Sequence, residues 1–217
     1  RLRRIAPTGS RERAPAAQVR AQSTDDRAEL RRTLGVPVDG ALAVVAAKFS
    51  EIRDELPSLF AAVVARPSLR LVVKTHPAET PDGYRALAAG LSNIAVAGAD
   101  ADLARLIGSA DAIVTMNSTV AIDGLVLGVP ALVVGLPNNL TPCVDAGAMR
   151  GADRDSVGKA LDALLYDRQA RAAQMAAAAR FASQFAMQAD GHAAARAAEA
   201  ILALTAGDGS PARSEIS

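Results

Sequence analysis

The sequence predicts an α/β protein with a doubly wound, mostly parallel, Rossmann-like sheet of five or six strands and a C-terminal helical arm. Three observations indicate this class. Short apolar runs alternate with segments of helical periodicity, which is typical of βαβ units. The runs are apolar at almost every position, as expected of strands that are covered on both faces. Capping or helix-stopping residues such as Asp, Gly and Pro bound most of the helical segments.

The predicted strands are five buried runs and one very short strand at the sheet edge. They cover Ala41–Ala47, Leu69–Lys74, Asn93–Val96, Ala112–Thr115, Ala131–Val134 and a short stretch near Ala148–Arg150. Helices are predicted at Asp25–Leu34, Ile52–Ala65, Pro81–Leu91, Leu103–Ser109, Val120–Leu127, Asp155–Tyr166, Gln169–Gln188 and Gly191–Leu204. Pro57 is expected to make the second helix irregular or to restart it. Lys48–Glu51 is predicted to be a loop, and Gly135–Ala152 a long polar loop.

Composition divides the chain into three parts and excludes several function classes. Residues 1–34 are predicted to be an Arg-rich linker or partly helical leader, 35–206 the folded α/β domain, and 207–217 a disordered tail. The net charge is +1, and aromatic residues are only 3% with no Trp, so no aromatic platform for stacking nucleic-acid bases is expected. A nucleic-acid or membrane partner would have to bind the leader alone. A single Cys excludes an internal disulfide and favours a reducing compartment.

Several well-known site patterns are absent from the sequence. Two His and one Cys far apart form no zinc pattern, so no metal site is expected. The Gly-rich dinucleotide fingerprint and the P-loop are also missing, which disfavours a dehydrogenase or an NTPase. No run of about 18 apolar residues, as a membrane-spanning helix would need, is present.

A polar turn at Met116–Thr119 separates a predicted strand from a predicted helix. The hydroxyls of Ser118 and Thr119 are expected to cap the helix, and the free amide groups there favour an anion. Asp123 lies four residues after Thr119, on the same helical face. A phosphate at the turn and a ribose hydroxyl at Asp123 would fit this spacing. The alternative is an ordinary helix cap that binds nothing.

Two further loops are expected to lie beside this turn. Lys48–Glu51 and Thr75–Glu79 also follow predicted strands, so all three should converge where the strand order of a doubly wound sheet reverses. His76 precedes a proline, which restricts its backbone and suits a proton donor or a phosphate contact. The alternative is a His bonded to a backbone carbonyl. Lys74 is expected to reach a phosphate or to be a strand-end charge, and Glu79 to orient His76, to cap the following helix, or to do neither.

Two segments together resemble a known family. Lys74–Glu79 (KTHPAE) and Asn117–Asp123 (NSTVAID), the latter followed by a Gly-Val-Pro corner, resemble the C-terminal half of two-domain GT-B glycosyltransferases. The resemblance covers roughly residues 40–205 and extends most closely to bacterial surface-polysaccharide and teichoic-acid enzymes of the CDP-glycerol glycerophosphotransferase-like group. UDP-N-acetylglucosamine 2-epimerases share the architecture, but they have glycines where this chain has Ser118–Thr119, and Glu where it has Asp123.

The resemblance implies the donor-nucleotide half of a metal-independent transferase that needs no cofactor and uses a UDP- or CDP/CMP-linked donor. His76 would act as the catalytic residue, at a phosphate or the leaving group. Ser118 and Thr119 would hold the donor diphosphate and Asp123 the ribose. Together with the analysis of the loops, the nucleotide- or phosphate-binding candidates are Lys74, Asn117, Ser118, Thr119 and Asp123, with Lys48, Ser50, Glu79, Asn138 and Asn139 as secondary candidates. A partner N-terminal domain outside this sequence would bind the acceptor and supply the base.

Two other functions stay open at this point. One is an isomerase of the UDP-N-acetylglucosamine 2-epimerase type, and the other is a non-catalytic nucleotide-binding or assembly module. The chain opens without Met, so we expect it to be part of a longer protein, inactive alone. A cytoplasmic location is expected, with peripheral association at the inner face of the bacterial membrane as a further expectation for the whole protein.

Overall fold

Six parallel strands form one sheet in the computed structural model, which describes residues 24–184, 192, 195, 197–199, 201 and 202. The strands are β1 (Ala41–Ala46), β2 (Leu69–Lys74), β3 (Ile94–Ala97), β4 (Ala112–Thr115), β5 (Ala131–Val133) and β6 (Arg150–Gly151). Their order is β3–β2–β1–β4–β5–β6, with every neighbouring pair parallel. This is the order of a doubly wound dinucleotide-binding sheet. The predicted fold class is therefore confirmed.

Helices connect the strands and cover both faces of the sheet. They are α1 (Thr24–Thr33), α2 (Phe49–Ile52), α3 (Leu56–Val64), α4 (Asp82–Ala88), α5 (Leu103–Ser109), α6 (Val120–Leu127), α7 (Thr141–Asp145), α8 (Val157–Leu165) and α9 (Arg168–Gln184). None of the helices in the described residues is both long enough and apolar enough to cross a bilayer. The helix predicted at Gly191–Leu204 and the leader before Thr24 lie outside the continuously described residues.

The apolar strands are explained by burial on two sides. Alternate residues of β1 enter different cores: Ala43 and Val45 pack with α3 and α8, whereas Leu42 and Val44 pack with α5. Successive side chains of a strand point to opposite faces, so both sets of positions must be apolar. The resulting core is built from Ala, Val, Leu and Ile, which accounts for the high apolar content of a chain that has few aromatic residues.

Prolines explain where the predicted helix boundaries were wrong. In the segment predicted to be one helix at Ile52–Ala65, Ile52 ends α2 and α3 begins at Leu56. The expected restart at Pro57 is confirmed, because Pro57 lies in the first turn of α3, where its missing N–H costs no helical hydrogen bond. The loop predicted at Lys48–Glu51 is mostly the one-turn helix α2. The polar loop predicted at Gly135–Ala152 contains α7, which begins at Thr141 with Pro142 in its first turn, and ends in β6.

The helix α1 is attached to the sheet by polar contacts, and none of its residues is buried. Arg31 donates to the carbonyl oxygens of Ser109 (2.9 Å) and Gly40 (2.7 Å) and to the carboxylate of Asp111 (2.8 Å). Asp111 also accepts a hydrogen bond from the Leu42 amide at 2.8 Å. These contacts lie at the amino ends of β1 and β4, on the edge opposite to the loops that were predicted to carry the site.

Candidate functional site

A cleft opens at the carboxyl ends of β1, β2 and β4. The first and fourth strands are neighbours there, so the cleft lies at the reversal of strand order where ligands bind in open α/β sheets. Its volume is 270 Å³. Six of the predicted site residues line it, and they come from all three predicted loops: Lys48, Lys74, His76, Asn117, Ser118 and Thr119. The structure thus brings together three segments that are up to about 70 positions apart in the sequence.

The polar turn of the cleft is held by side-chain hydroxyls. Thr115 donates to the carbonyl of Ala46 (2.7 Å) and accepts from the amide of Ser118 (3.3 Å), which joins the turn to β1. The hydroxyl of Ser118 accepts from the Val120 amide at 3.3 Å, so it caps α6 as predicted. The prediction that Thr119 also caps α6 is wrong, because no hydrogen bond forms from its side chain to the helix.

The backbone at this turn is suited to an anion. In the described part of the chain, the amide groups of Asn117 and Thr119 have no hydrogen-bond acceptor. Both residues line the cleft at the N-terminus of α6, where unpaired amides and the helix dipole favour negative charge. The side chain of Thr119 is exposed, so its hydroxyl is accessible to a ligand.

His76 is oriented by its own loop. Its Nδ1 atom accepts a hydrogen bond from the Ala78 amide at 3.1 Å, and its carbonyl accepts one from the Glu79 amide at 3.0 Å. An Nδ1 atom that accepts a hydrogen bond leaves the proton of the neutral ring on Nε2. The ring therefore offers an N–H donor in a half-buried position on the cleft wall.

Lys74 is a buried cation beside the same cleft, with 6% of its surface exposed. Its ammonium donates to the carbonyls of Thr75 and Ala99, both at 2.9 Å, which leaves one N–H for another acceptor. Burial lowers the pKa of Lys74, while the nearby carboxylate of Asp100 partly opposes that change. An anion in the cleft would stabilise the charged form.

Lys48 lines the third side of the cleft, whereas Ser50 and Glu79 are hydrogen-bonded to each other beside it without lining it. Lys48 is exposed, and its ammonium lies 3.8 Å from the carboxylate of Glu51. Glu79 accepts from the amides of Phe49 (2.7 Å) and Ser50 (3.2 Å) and from the Ser50 hydroxyl (2.9 Å). Partial burial opposes ionisation, but these hydrogen bonds outweigh it and the pKa of Glu79 is lowered. Glu79 therefore caps α2, a role that was not among the alternatives of the sequence analysis, which were to orient His76, to cap the following helix, or to do neither.

Five predicted residues lie away from the cleft wall that the described residues form: Ser50, Glu79, Asp123, Asn138 and Asn139. Asp123 is half-buried on α6, one helical turn from the polar turn. Asn138 stabilises its own loop, because it donates to the carbonyls of Val134 (3.1 Å) and Gly135 (3.2 Å) and accepts from the Leu140 amide (2.9 Å). Asn139 donates to the carbonyl of Asn117 at 3.0 Å and so supports the turn from outside.

Seven residues that line the cleft were not predicted as site residues: Ala46, Ala47, Glu51, Thr75, Pro77, Leu103 and Val120. Glu51 neutralises part of the charge of Lys48, and Leu103 supplies an apolar wall at the start of α5. Glu51 could have been found from its place in the loop after β1. Nothing in the sequence distinguishes Leu103 from the other apolar helix residues, since only the packing of α5 brings it to the sheet edge.

Cys143 is expected to be unreactive in the folded protein. It is buried in α7, and burial raises the pKa of its thiol, which lowers the fraction of reactive thiolate. We expect labelling by a disulfide reagent at pH 8 to be at least about tenfold slower than in the urea-unfolded chain. Equal rates in the two states would contradict this burial. Because this is the only Cys, the absorbance of the released thiol reports on it alone.

The comparisons with known proteins support the fold. The sequence matches no family model and no curated protein. It is similar in structure to WaaG, a glycosyltransferase involved in lipopolysaccharide biosynthesis, with a TM-score of 0.62, 18% identity, and coverage of 82% of this chain and 52% of WaaG. The wall teichoic acid polymerase TagF, soaked with CDPG, gives a TM-score of 0.58 at 16% identity over 87% of this chain and 47% of TagF.

A protein of the isomerase type, the alternative left open by the sequence, is also similar in structure. A UDP-N-acetylglucosamine 2-epimerase from Listeria monocytogenes gives a TM-score of 0.55 at 23% identity, covering 79% of this chain and 52% of the epimerase. Other similar structures hold UDP-glucose or thymidine diphosphate. The chain spans about half the length of these proteins. At these identities the similarity shows the fold alone, which is the fold that the resemblance implied for this half of such proteins.

Proposed function

We propose that this chain is the donor-nucleotide-binding half of a metal-independent transferase that moves a glycosyl or glycerophosphoryl group from a nucleotide-activated donor. One observation carries the proposal: cationic side chains, an imidazole donor and unpaired amides from three loops meet in one cleft. Among the described residues, two lysines and one glutamate are the charged side chains that line the cleft, so it is net positive without any contribution from His76. A diphosphate is the part of a nucleotide that this set fits best.

Each residue has a role that its position supports. The amides of Asn117 and Thr119 and the Ser118–Thr119 hydroxyls would bind the diphosphate, with Lys48 and Lys74 balancing its charge. Asp123, one helical turn from the polar turn, would bind the ribose. The Nε2–H group of His76 would donate to the phosphate oxygen that gains charge as the bond to the transferred group breaks. The acceptor oxygen would attack that group and lose its proton to a base in another domain.

The size of the cleft supports the proposal that this chain forms only one half of the substrate-binding site. Sites that enclose a small molecule have volumes of about 300–1,000 Å³. The cleft has 270 Å³, which is less than this range, although a nucleotide-linked sugar is a large ligand. A second domain would supply the opposite wall, and similar proteins are about twice as long as this chain.

A role in cell-surface polysaccharide synthesis is part of the proposal, and it is supported by what WaaG and TagF are described as doing. The single Cys supports a cytoplasmic location.

The first test is a titration of the chain with UDP and with CDP in the presence of EDTA. NMR spectra recorded at each step measure the binding. We expect Ser118→Ala and His76→Ala each to weaken binding of the preferred nucleotide about tenfold, which corresponds to about 1.4 kcal/mol. Loss of the Ser118 cap also lowers the free energy of unfolding by about 1 kcal/mol, so urea unfolding of each variant is measured alongside.

Lys159→Ala is the matched control, because Lys159 is an exposed lysine of α8, far along the chain from the three loops. It should leave the affinity unchanged. Wild-type affinity in both cleft variants would contradict the proposed site and favour a non-catalytic module that uses another surface. A requirement for Mg²⁺ would contradict metal independence.

The similar Listeria epimerase supports a second candidate, an isomerase that acts on UDP-N-acetylglucosamine. The residues at the turn disfavour it, because this chain has Ser118–Thr119 and Asp123 where an epimerase of this type is expected to have glycines and Glu. The two functions differ in whether an acceptor is needed. Solvent deuterium incorporation at C2 of UDP-N-acetylglucosamine, measured on the protein with its companion domain and without an acceptor, would favour the isomerase.

A further inference from the structure

The segment that follows β1 is held in place by the segment that follows β2. Tyr84, which is fully buried in α4, donates from its hydroxyl to the carbonyl of Ala47 at 2.9 Å. Its ring also packs edge-to-face against Phe49, with 5.0 Å between the ring centroids. Lys48 lies between Ala47 and Phe49. Both neighbours of this cleft lysine are therefore fixed by residues that come after His76 in the chain.

Glu79 makes the most direct connection between the two segments. Its amide donates to the carbonyl of His76, while its carboxylate accepts from the Phe49 amide, the Ser50 amide and the Ser50 hydroxyl. A helix of four residues cannot stabilise itself, since its first turn costs more conformational entropy than its hydrogen bonds return. The α2 turn thus depends on this carboxylate for its position.

We propose that Glu79 is a positioning residue, which holds Lys48 at a fixed distance from His76 so that both can contact one diphosphate. This inference rests on the proposed function. Glu79 itself does not line the cleft formed by the described residues, and its carboxylate already accepts three hydrogen bonds. Its carboxylate therefore acts through Lys48, and it need not contact the ligand. The lowered pKa of Glu79 agrees with a carboxylate that stays ionised in this role.

The test compares Glu79→Gln with Lys48→Ala and with the double variant. Glu79→Gln keeps the size of the side chain but places an NH₂ group where a carboxylate oxygen accepted a hydrogen bond. We expect it to weaken UDP or CDP binding about tenfold, and to accelerate hydrogen exchange at the Phe49 and Ser50 amides by about the same factor. In the Lys48→Ala background, Glu79→Gln should change the affinity less than about twofold, because the residue that it positions is gone.

Two further variants complete the experiment. Asp82→Asn removes one negative charge three positions along the chain, from an exposed residue at the start of α4, and should change neither affinity nor exchange. Ser50→Ala removes only one of the three hydrogen bonds and should weaken binding about threefold. This milder variant tests the inference if Glu79→Gln does not fold.

The outcomes separate this inference from the proposed function. The positioning role would be overturned if the double variant weakened nucleotide binding by the product of the two single-variant factors. Unchanged hydrogen exchange at the Phe49 and Ser50 amides would overturn it as well. If the wild-type chain binds neither UDP nor CDP, the proposed function fails. The exchange rates then decide whether Glu79 positions α2, since faster exchange in Glu79→Gln supports that role and unchanged exchange overturns it.

Discussion

Asp111→Ala is expected to lower the free energy of unfolding by about 3 kcal/mol, since hydrogen bonds to a charged group contribute about 1.5–3 kcal/mol and an unpaired buried donor costs about 1–3 kcal/mol. The Asp111 carboxylate accepts from the Leu42 amide and from Arg31, both at 2.8 Å. The substitution leaves the amide of β1 without an acceptor and removes the ion pair that holds α1. Urea unfolding followed by circular dichroism measures the change, with the denaturant slope checked for two-state behaviour.

Two controls separate the two contributions of this carboxylate. Asp111→Asn keeps an oxygen that can accept from the Leu42 amide but loses the charge, so we expect it to cost roughly half as much. Arg27→Ala removes only an exposed contact at 3.5 Å and should cost less than about 0.5 kcal/mol. If Asp111→Ala were no more destabilising than Arg27→Ala, the Leu42 amide would have another acceptor, and α1 would not depend on this residue.

The fold was predictable because its strands can be recognised from local sequence patterns. The residues of β2, β4, α5 and α6 were predicted with correct ends, since each run of apolar residues or each helical segment is bounded by a residue that stops it. The convergence of His76 with the polar turn followed from the expected strand order alone. These features depend on residue type and on spacing, which the sequence contains in full.

The partners of individual polar side chains were less predictable. Glu79 caps a helix that lies about 30 positions earlier, and Asn138 stabilises its own loop, although both are residue types that bind ligands equally well. Thr119 is adjacent to Ser118, but its backbone is helical (φ −64°, ψ −10°), whereas a capping hydroxyl normally belongs to a residue with extended backbone. Such differences arise from three-dimensional packing and backbone angles, which the order of residues does not reveal.

Gly135→Ala is expected to destabilise the protein by about 3 kcal/mol, of which about 1–2 kcal/mol comes from the left-handed backbone and the rest from crowding. Gly135 has a φ of +66°, and an added Cβ would clash with the terminal methyl of Met116 and lie 3.0 Å from its sulfur. Met116 begins the polar turn of the cleft. The substitution should therefore also weaken UDP or CDP binding, and the unfolding and NMR titrations described above measure both effects.

Gly90→Ala is the matched control, because Gly90 has a similar φ of +79° but no atom within 4 Å of an added Cβ. Gly90→Ala should lower the free energy of unfolding only by the cost of the left-handed backbone, about 1–2 kcal/mol. It should leave nucleotide binding unchanged. Met116→Ala provides the complementary test, since it removes the side chain that Gly135→Ala would displace. The two substitutions should then couple by about 1–2 kcal/mol in a double-mutant cycle. Equal costs for Gly135→Ala and Gly90→Ala, with no such coupling, would show that contact with Met116 does not require glycine at position 135.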